Sequence, residues 1–236
     1  EISECLVGSE MCIRDSFKTD DLKKCSRFWI ILFKTILSKL YHWKIYVVGS
    51  VEYQYPNHLF QAGYFLDKKY YDENTIDFKH LLLSEKNQSL LKDIQNSNSV
   101  GVHIRRGDYM TKQNLVIFGN ICTQKYYHDA IRIITEKVND AVFYVFSDDI
   151  SWVQTHLDIP NAVYVNWNTG ESSIYDMYLM SSCKYNIIAN STFSYWAARL
   201  NKKTNMVIYP SKWYNTFTPD IFLNHGVESV SYTHLR

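Results

Sequence analysis

From Val100 onward, short apolar β-branched runs alternate with segments of helical periodicity, and this alternation restricts the folds open to the chain. Strands separated by helices form a mostly parallel sheet covered on both faces. The predicted strands are Val100–Arg105, Ala141–Phe146, Val163–Val165, Tyr185–Ala189 and Met206–Tyr209. The predicted helices between them are Gln124–Val138, Ile150–Leu157, Ser173–Cys183 and Ser194–Leu200. We therefore predict an α/β fold with a Rossmann-like domain in this part of the chain.

The first of these strands ends in a charged cluster. It reads Ser-Val-Gly-Val-His-Ile-Arg-Arg-Gly-Asp-Tyr over residues 99–109, and Gly107 and Asp108 are turn formers that end the strand. Period-2 alternation places His103 and Arg105 on one face. Planar guanidinium groups just outside the carboxyl end of a strand favour a phosphate or carboxylate ligand. The alternative is an exposed Arg–Asp ion pair that closes a turn.

Two further polar clusters also follow predicted strands. Ser147-Asp-Asp149 follows the second strand, and Asn190-Ser-Thr-Phe-Ser194 follows the fourth and opens a helix. The carboxyl ends of parallel strands meet at one sheet edge, so the three clusters are expected to form one site. The helix N-terminus can receive a phosphate, although plain helix capping by Ser191 or Thr192 is compatible with that role. Asp148 or Asp149 can accept hydrogen bonds from a guanine edge or a ribose, or can serve only as an N-cap.

The composition narrows the function further. The net charge of +1 provides no broad basic surface, so nucleic acid is not an expected partner. Neither G-x-G-x-x-G nor G-x-x-x-x-G-K-[ST] occurs, which argues against dinucleotide binding and P-loop phosphoryl transfer. The apolar run from Phe28 to Leu40 is too short to span a bilayer and predicts an amphipathic core helix, with membrane-surface attachment as the alternative.

Both ends of the chain resemble translated sequencing-adapter sequence, and residues 1–16 and 230–236 are therefore set aside. Cys25, Cys122 and Cys183 remain, an odd number without C-x-x-C spacing, which favours neither a disulfide framework nor a zinc site and suits a reduced cytoplasmic setting. A short strand is predicted at Tyr46–Val48 and a helix at Leu81–Ile94, followed by an interdomain linker at 96–99. The predicted domains are 17–96 and 97–229.

Four motifs in this order resemble those of the bacterial α-1,2-fucosyltransferases, glycosyltransferase family 11. They are His-Ile-Arg-Arg-Gly-Asp-Tyr at 103–109, Phe-Ser-Asp-Asp at 146–149, Asp-Met-Tyr-Leu-Met-Ser-Ser-Cys at 176–183 and Ile-Ala-Asn-Ser-Thr-Phe-Ser-Tyr-Trp at 188–196. The resemblance extends over roughly residues 53–213. The chain lacks the glycine-rich opening segment of that family, which implies that the N-terminal domain is incomplete.

The resemblance implies a GT-B-like enzyme with two Rossmann-like domains, of which the C-terminal domain, residues 97–229, binds the donor. It implies a galactoside 2-α-L-fucosyltransferase that takes GDP-fucose as a substrate, requires no metal or other cofactor, and inverts the fucose anomeric carbon. The acceptor is expected to be a terminal galactose on a glycan precursor. The expected location is the cytoplasm, with peripheral association at the inner face of the membrane as an alternative. The rival hypotheses are a related enzyme with another acceptor and a non-catalytic nucleotide-sugar or glycan-binding protein.

The resemblance also assigns roles to individual residues. Arg105 is expected to contact the diphosphate, His103 and Asp148 or Asp149 the guanosine, and the 191–194 segment the phosphates. The full donor-binding set is His103, Arg105, Arg106, Asp148, Asp149, Asn190, Ser191, Thr192, Phe193 and Ser194. Arg105, His103 and Asp108 are the catalytic candidates. His103 and Asp108 are the two candidate general bases, although an ion pair between Asp108 and Arg106 would lower the carboxyl pKa and make Asp108 a poor base.

Overall fold

A computed structural model describes residues 17–18, 46–49, 60–63, 77–78, 81–215 and 228–231. The chain divides into two compact units, Glu1–Lys79 with Pro219–Phe222, and His80–Thr218 with Leu223–Arg236. In the first unit, strand β1 (Phe17–Lys18) pairs antiparallel with β4 (Asp77–Phe78), and β2 (Tyr46–Gly49) pairs parallel with β3 (Phe60–Gly63). The strand predicted at Tyr46–Val48 is thus confirmed. The helix predicted at Phe28–Leu40 lies outside the described residues.

The second unit alternates strands and helices as the sequence predicts. Its helices are α1 (Glu85–Asn96), α2 (Lys112–Phe118), α3 (Gln124–Lys137), α4 (Ile150–His156), α5 (Ser173–Ser181) and α6 (Thr192–Arg199). Its strands are β5 (Asn98–Ile104), β6 (Ala141–Ser147), β7 (Ala162–Val165), β8 (Tyr185–Ile187), β9 (Met206–Tyr209) and β10 (Glu228–Ser231). Short 3₁₀ turns occupy Gly107–Met110 and Gly170–Ser172. No helix in the described ranges has both the length and the apolar character needed to cross a membrane.

The six strands of this unit form one parallel sheet in the order β10-β9-β8-β5-β6-β7. Counted from β5 as the first strand, the order is the 3-2-1-4-5-6 of the Rossmann fold. The predicted α/β, Rossmann-like architecture is therefore confirmed. From β5 the next strands along the chain, β6 and β7, are added on one side of the sheet, and β8, β9 and β10 are added on the other side. The point between β5 and β8 is therefore a topological switch point, where ligands of open α/β sheets bind.

Central strand β5 presents different side chains to the two layers of helices. Val100, Val102 and Ile104 are buried in a cluster with apolar residues of α3 and α4. On the opposite face, Gly101 lies against Met180 and Cys183, and His103 packs on Phe193 of α6. The core therefore lies on both faces of the sheet, which explains why β5 is apolar along nearly its whole length.

Side-chain caps begin four of the helices, α1 to α4. Thr123 accepts a hydrogen bond from the Tyr126 N–H at the start of α3, and Asp149 accepts one from the Trp152 N–H at the start of α4. Ser84 serves α1 in the same way. These are the residue types that satisfy the first N–H groups of a helix. The predicted starts of α3 and α4 are therefore confirmed.

The predicted linker at 96–99 is wrong. Asn96 ends α1, and Asn98 and Ser99 belong to β5, where the buried Ser99 hydroxyl accepts a hydrogen bond from the Lys184 N–H. Helix α1 buries Leu90 and Ile94 and belongs to the second unit, which begins at His80. The polar composition of 96–99 indicated a loop. Composition alone does not reveal the tertiary contacts that hold these residues in α1 and β5.

Two elements of the second unit, α2 and β10, were not predicted, and neither were the short strands β1, β3 and β4 of the first unit. Helix α2 has its apolar residues in one consecutive run, Leu115–Phe118, rather than at helical spacing, and none of them is buried. Strand β10 pairs with β9 and contains Val230 and Ser231, the first two residues of the 230–236 segment that resembles adapter sequence.

Candidate functional site

The charged clusters after β5 and β6 meet because these strands are in register. Ile104 pairs with Ser147 at the last position of the β5–β6 ladder. Arg105 follows Ile104, and Asp148 follows Ser147. These two residues therefore lie side by side at the ends of neighbouring strands. The structure confirms the predicted convergence of these two strand ends at one sheet edge.

Arg105 is held by two carboxylates. Its Nη2 lies 2.8 Å from Asp108 Oδ1, and its Nη1 lies 3.2 Å from Asp148 Oδ2. The side chain of Arg105 is mostly buried, whereas that of Asp108 is 55% exposed. The predicted ion pair of Asp108 with Arg106 is wrong, because the 3₁₀ turn at Gly107–Met110 brings Asp108 back to Arg105.

Arg106 is fixed by a different set of contacts. Its backbone N–H donates to Asp148 Oδ1 at 2.9 Å, and its Nε donates to Asp149 Oδ2 at 3.2 Å. Its guanidinium carbon lies 3.7 Å from the centroid of the Trp152 ring, and this indole also stacks with His156 at 4.6 Å. Asp149 therefore has two roles, since it also caps α4.

The arginine cluster is not a simple positive patch. Arg105 and Arg106 contribute two positive charges, and Asp108, Asp148 and Asp149 contribute three negative charges, so the cluster carries about one net negative charge at neutral pH. An incoming anion must therefore take over a carboxylate's place at a guanidinium. Asp108 is the most exposed of the three aspartates, and an exposed ion pair costs little to separate.

His103 lies beside this cluster at the end of β5. It is buried, its ring centroid is 4.9 Å from that of Phe193, and no group among the described residues hydrogen-bonds its Nδ1. Burial, with a smaller contribution from the positive charge of Arg105, lowers the pKa of His103 to about 3. Its imidazole is therefore neutral and can hydrogen-bond a ligand. A group with so low a pKa is a weak general base near neutral pH.

Asn190, which follows β8, links three segments of the chain. Its buried carboxamide donates to the Phe118 carbonyl at 3.2 Å and to the Trp213 carbonyl at 3.1 Å. Its own backbone carbonyl accepts a hydrogen bond from the Tyr109 hydroxyl at 2.9 Å. The amide group of Asn190 therefore holds the edge of the site in place.

The segment after Asn190 opens α6 as predicted. Ser191 occupies the N-cap position, but its side chain makes no capping hydrogen bond. The hydroxyl of Ser194 donates to the backbone carbonyls of Ala189 and Ser191. Phe193 contacts His103, and Thr192 is the first helical residue. Phe193 therefore connects the 191–194 segment to His103 at the end of β5.

One polar network at this edge was missed by the sequence analysis. Asp176, in the first turn of α5, accepts a hydrogen bond from Asn168 at 2.6 Å. Asn168 in turn bonds the buried Asn87 of α1, which also accepts one from the Trp167 indole at 2.7 Å. Burial raises the pKa of Asp176 to about 7. The sequence places Asp176 in a motif but carries no signal of its burial.

The described part of the chain contains no grouping of three or more His, Cys, Asp or Glu side chains suited to a metal ion. The three aspartates of the cluster are instead engaged by arginines.

Comparison with known proteins places the chain in a family. The model of the family described as glycosyl transferase family 11 matches residues 22–224. An α-1,2-colitosyltransferase of Escherichia coli is 34% identical over 227 residues, which cover 89% of this chain and 74% of that protein. Galactoside α-(1,2)-fucosyltransferase 2 of Pongo pygmaeus is 29% identical over 128 residues, covering 51% of this chain and 37% of that protein.

Among solved structures, the fucosyltransferase NodZ from Bradyrhizobium is similar, with a TM-score of 0.40 and 14% identity. The match covers 76% of this chain and 62% of NodZ. The family assignment rests on the family model, which covers most of the chain, and on the colitosyltransferase. The chain belongs to glycosyl transferase family 11.

Proposed function

We propose that the chain transfers fucose from GDP-fucose to the 2-hydroxyl of a terminal galactose, with inversion at the fucose anomeric carbon. The observation that carries the proposal is the position of Arg105 at the switch point between β5 and β8, beside a buried His103 whose Nδ1 can bond a ligand. Membership of glycosyl transferase family 11 and the α-(1,2)-fucosyltransferase relative support the reaction class and the linkage.

In the proposed reaction the acceptor 2-hydroxyl oxygen attacks C1 of fucose. The bond from C1 to the oxygen of the β-phosphate breaks, and GDP leaves with that electron pair. The hydroxyl proton passes to a base or to water. Negative charge grows on the departing phosphate, and a preorganised guanidinium at Arg105 stabilises it.

Two residues near Arg105 are assigned supporting roles. Asp148 holds both the Arg105 side chain and the Arg106 backbone N–H, so it orients the guanidinium before the donor binds. Asp108 is exposed and bonds the other side of the same guanidinium, so it is the carboxylate that the diphosphate displaces. His103, Asp149 and the 191–194 segment, with Asn190, complete the donor-binding set that we propose.

The proposal requires no cofactor, and GDP-fucose is consumed as a substrate. The proposed acceptor is a galactose-terminated glycan, and nucleic acid is not a proposed partner. The reaction is assigned to the cytoplasm, with peripheral association at the inner membrane face as the alternative. Retention of transfer activity in excess EDTA and recovery of the protein in the cytoplasmic and membrane-peripheral fractions are the expected results. Loss of transfer in EDTA would contradict metal independence.

Incubation of the purified chain with GDP-fucose and lactose tests the central proposal. Release of GDP together with a 2′-fucosylated product is the expected result. GDP binding without turnover on a panel of galactosides would favour a non-catalytic nucleotide-sugar-binding protein. Transfer to a different sugar would retain the donor assignment and change the acceptor.

A second candidate donor follows from the α-1,2-colitosyltransferase, whose similarity covers most of this chain. Colitose is fucose without the 3-hydroxyl, so the same site geometry serves both sugars. Offering GDP-fucose and GDP-colitose side by side distinguishes them. A kcat/KM at least tenfold higher for GDP-colitose would assign the colitosyl reaction instead.

A further inference from the structure

A small cavity opens beside Arg105 and Arg106, on the face of β5 that packs against α3. Its volume is about 230 Å³, and its apolar lining comes from Ile104, Tyr109, Leu115, Phe118, Tyr127 and Trp152. The cavity is smaller than sites that hold a drug-sized ligand, which usually exceed about 300 Å³. It therefore suits one sugar ring rather than a whole sugar nucleotide.

The position of the cavity matches the connectivity of a sugar nucleotide. His103 and Phe193 lie on the α6 side of β5, whereas Ile104 and the cavity lie on the α3 side. Arg105 directly follows Ile104 at the end of β5, and it also lines the cavity. A diphosphate at Arg105 would therefore extend its nucleoside toward one side and its sugar toward the other.

Three hydrogen-bonding side chains of the cavity lining, Tyr109, Tyr127 and Cys122, are already engaged. The Tyr109 hydroxyl donates to the Asn190 carbonyl, and the Tyr127 hydroxyl donates to the His103 carbonyl at 3.1 Å. Burial raises the pKa of the Cys122 thiol to about 12, so this group stays neutral, and it is hydrogen-bonded to Tyr127. A sugar hydroxyl placed against this lining would lose its bonds to water without full replacement, at a cost in free energy.

The outer wall of the cavity is held firmly. Leu115 packs on Gly119, where a Cβ would come within 2.8 Å of the Leu115 Cδ2. The Asn215 side chain donates to the carbonyls of Val116 and Gly119, both at 3.0 Å, and Phe118 stacks on Tyr109 at 4.5 Å. These contacts fix the distance between the wall and the arginines.

From this geometry we propose that the cavity binds the donor sugar and selects a 6-deoxy sugar. The apolar wall at Leu115 and Phe118 receives the C5 methyl group, and the polar rim at Arg105, Thr123 and Gln124 faces the ring hydroxyls. The inference rests on the proposed use of a GDP-sugar. It assigns to Leu115 the discrimination between a methyl and a hydroxymethyl group at C5.

The test compares GDP-fucose with GDP-L-galactose, which differs from it by one hydroxyl at C6. The unmodified chain is expected to favour GDP-fucose by about 10- to 100-fold in kcat/KM, the range that an apolar pocket achieves against an added hydroxyl. Leu115→Gln supplies a hydrogen-bonding partner and should lower this preference by at least about fivefold. The control is Val116→Gln on the same helix, where the side chain is 69% exposed and the preference should not change.

Equal loss of activity toward both donors in Leu115→Gln, or an unchanged preference, would overturn the proposal. Leu115→Thr provides a second, smaller polar replacement if Leu115→Gln does not fold, as judged by circular dichroism. GDP binding by calorimetry separates the two levels of inference. If the unmodified chain neither binds GDP nor transfers either sugar, the proposed function is wrong. If Leu115→Gln binds GDP and transfers sugar normally with the same preference between the two donors, only the proposed sugar pocket is wrong.

Discussion

Gly107 lies so close to Asp148 that a Cβ at this position would come within 2.5 Å of the Asp148 Oδ2. The same oxygen bonds Arg105, so the absence of a side chain at Gly107 allows the β5 and β6 strand ends to meet. We expect Gly107→Ala to displace Asp148, to lower the free energy of unfolding by about 1–3 kcal/mol and to raise the KM for GDP-fucose.

A double-mutant cycle checks the cause of this effect. If the clash with Asp148 is responsible, Gly107→Ala should cost much less in an Asp148→Ala background, as measured by urea unfolding. An undiminished cost would show that Gly107 matters for another reason.

Arg105→Lys keeps the positive charge but loses the planar fork that Asp108 and Asp148 hold. Because one ammonium cannot reproduce these paired contacts, we expect kcat for fucose transfer to fall by about 10²-fold or more. Arg132→Lys, on the exposed surface of α3, is the matched control and should leave kcat unchanged. Wild-type turnover in Arg105→Lys would remove the role assigned to the guanidinium.

Asp108→Asn separates two roles for this carboxylate. As an exposed counter-ion of Arg105, Asp108 competes with the diphosphate, so its neutralisation should tighten GDP binding by about two- to fivefold. As the general base, it would instead lower kcat by about 10²- to 10⁴-fold with little change in GDP affinity. Calorimetry for GDP and initial rates at saturating donor distinguish these outcomes, and we expect the first.

Trp152 positions Arg106 through the ring contact at 3.7 Å. Replacement by Leu removes this cation–π interaction, which stabilises by about 0.5–2 kcal/mol, so we expect a two- to thirtyfold rise in the donor KM. Trp152→Phe keeps an aromatic face and should show a smaller rise. A fall in kcat with unchanged KM would indicate that Trp152 acts on the chemical step instead.

Asp176 should make stability depend on pH. Burial raises its pKa from 3.8 to about 7, so the folded chain binds more protons than the unfolded chain between these values. The free energy of unfolding contributed by this group therefore decreases as pH rises from about 4 to 7. Asp176→Asn should remove the decrease and stabilise the chain above pH 7 by up to a few kcal/mol.

Urea unfolding of the wild type and Asp176→Asn at pH 5 and pH 8 measures the effect. The lowered pKa of His103 makes the free energy of unfolding rise with pH between about 3 and 6.5, which is the opposite trend. Because both proteins contain His103, the difference between them isolates Asp176. Asp158→Asn replaces an exposed aspartate and serves as the control. A constant difference between Asp176→Asn and the wild type at both pH values would contradict the prediction.

Much of this arrangement could be predicted from local sequence. The β-branched alternation of β5, the apolar run of β6 and the caps at Thr123 and Asp149 are signals that lie within a few residues of the feature they specify. The meeting of the strand ends followed from parallel topology alone. These features needed no knowledge of distant contacts.

The partners of the arginines required information that the sequence lacks. Arg105 bonds Asp108 because of a 3₁₀ turn, and bonds Asp148 because of the strand register. The burial of Asp176 depends on Asn87, which lies 89 positions earlier in the chain. Such pairings are set by tertiary structure. The residue types therefore indicated which side chains carry a charge, but not which charges would pair with one another.

Helix α2 contributes no side chain to the core and is tied to the sheet through the amide groups of Asn190 and Asn215. A segment attached in this way can change in length and sequence while the strands beneath it stay the same. The arginine cluster belongs to those strands, whereas the wall of the cavity belongs to the attached segment. If the proposed sugar pocket is correct, substitutions between Tyr109 and Thr123 will change which sugar is accepted and leave the arginines that hold the nucleotide in place.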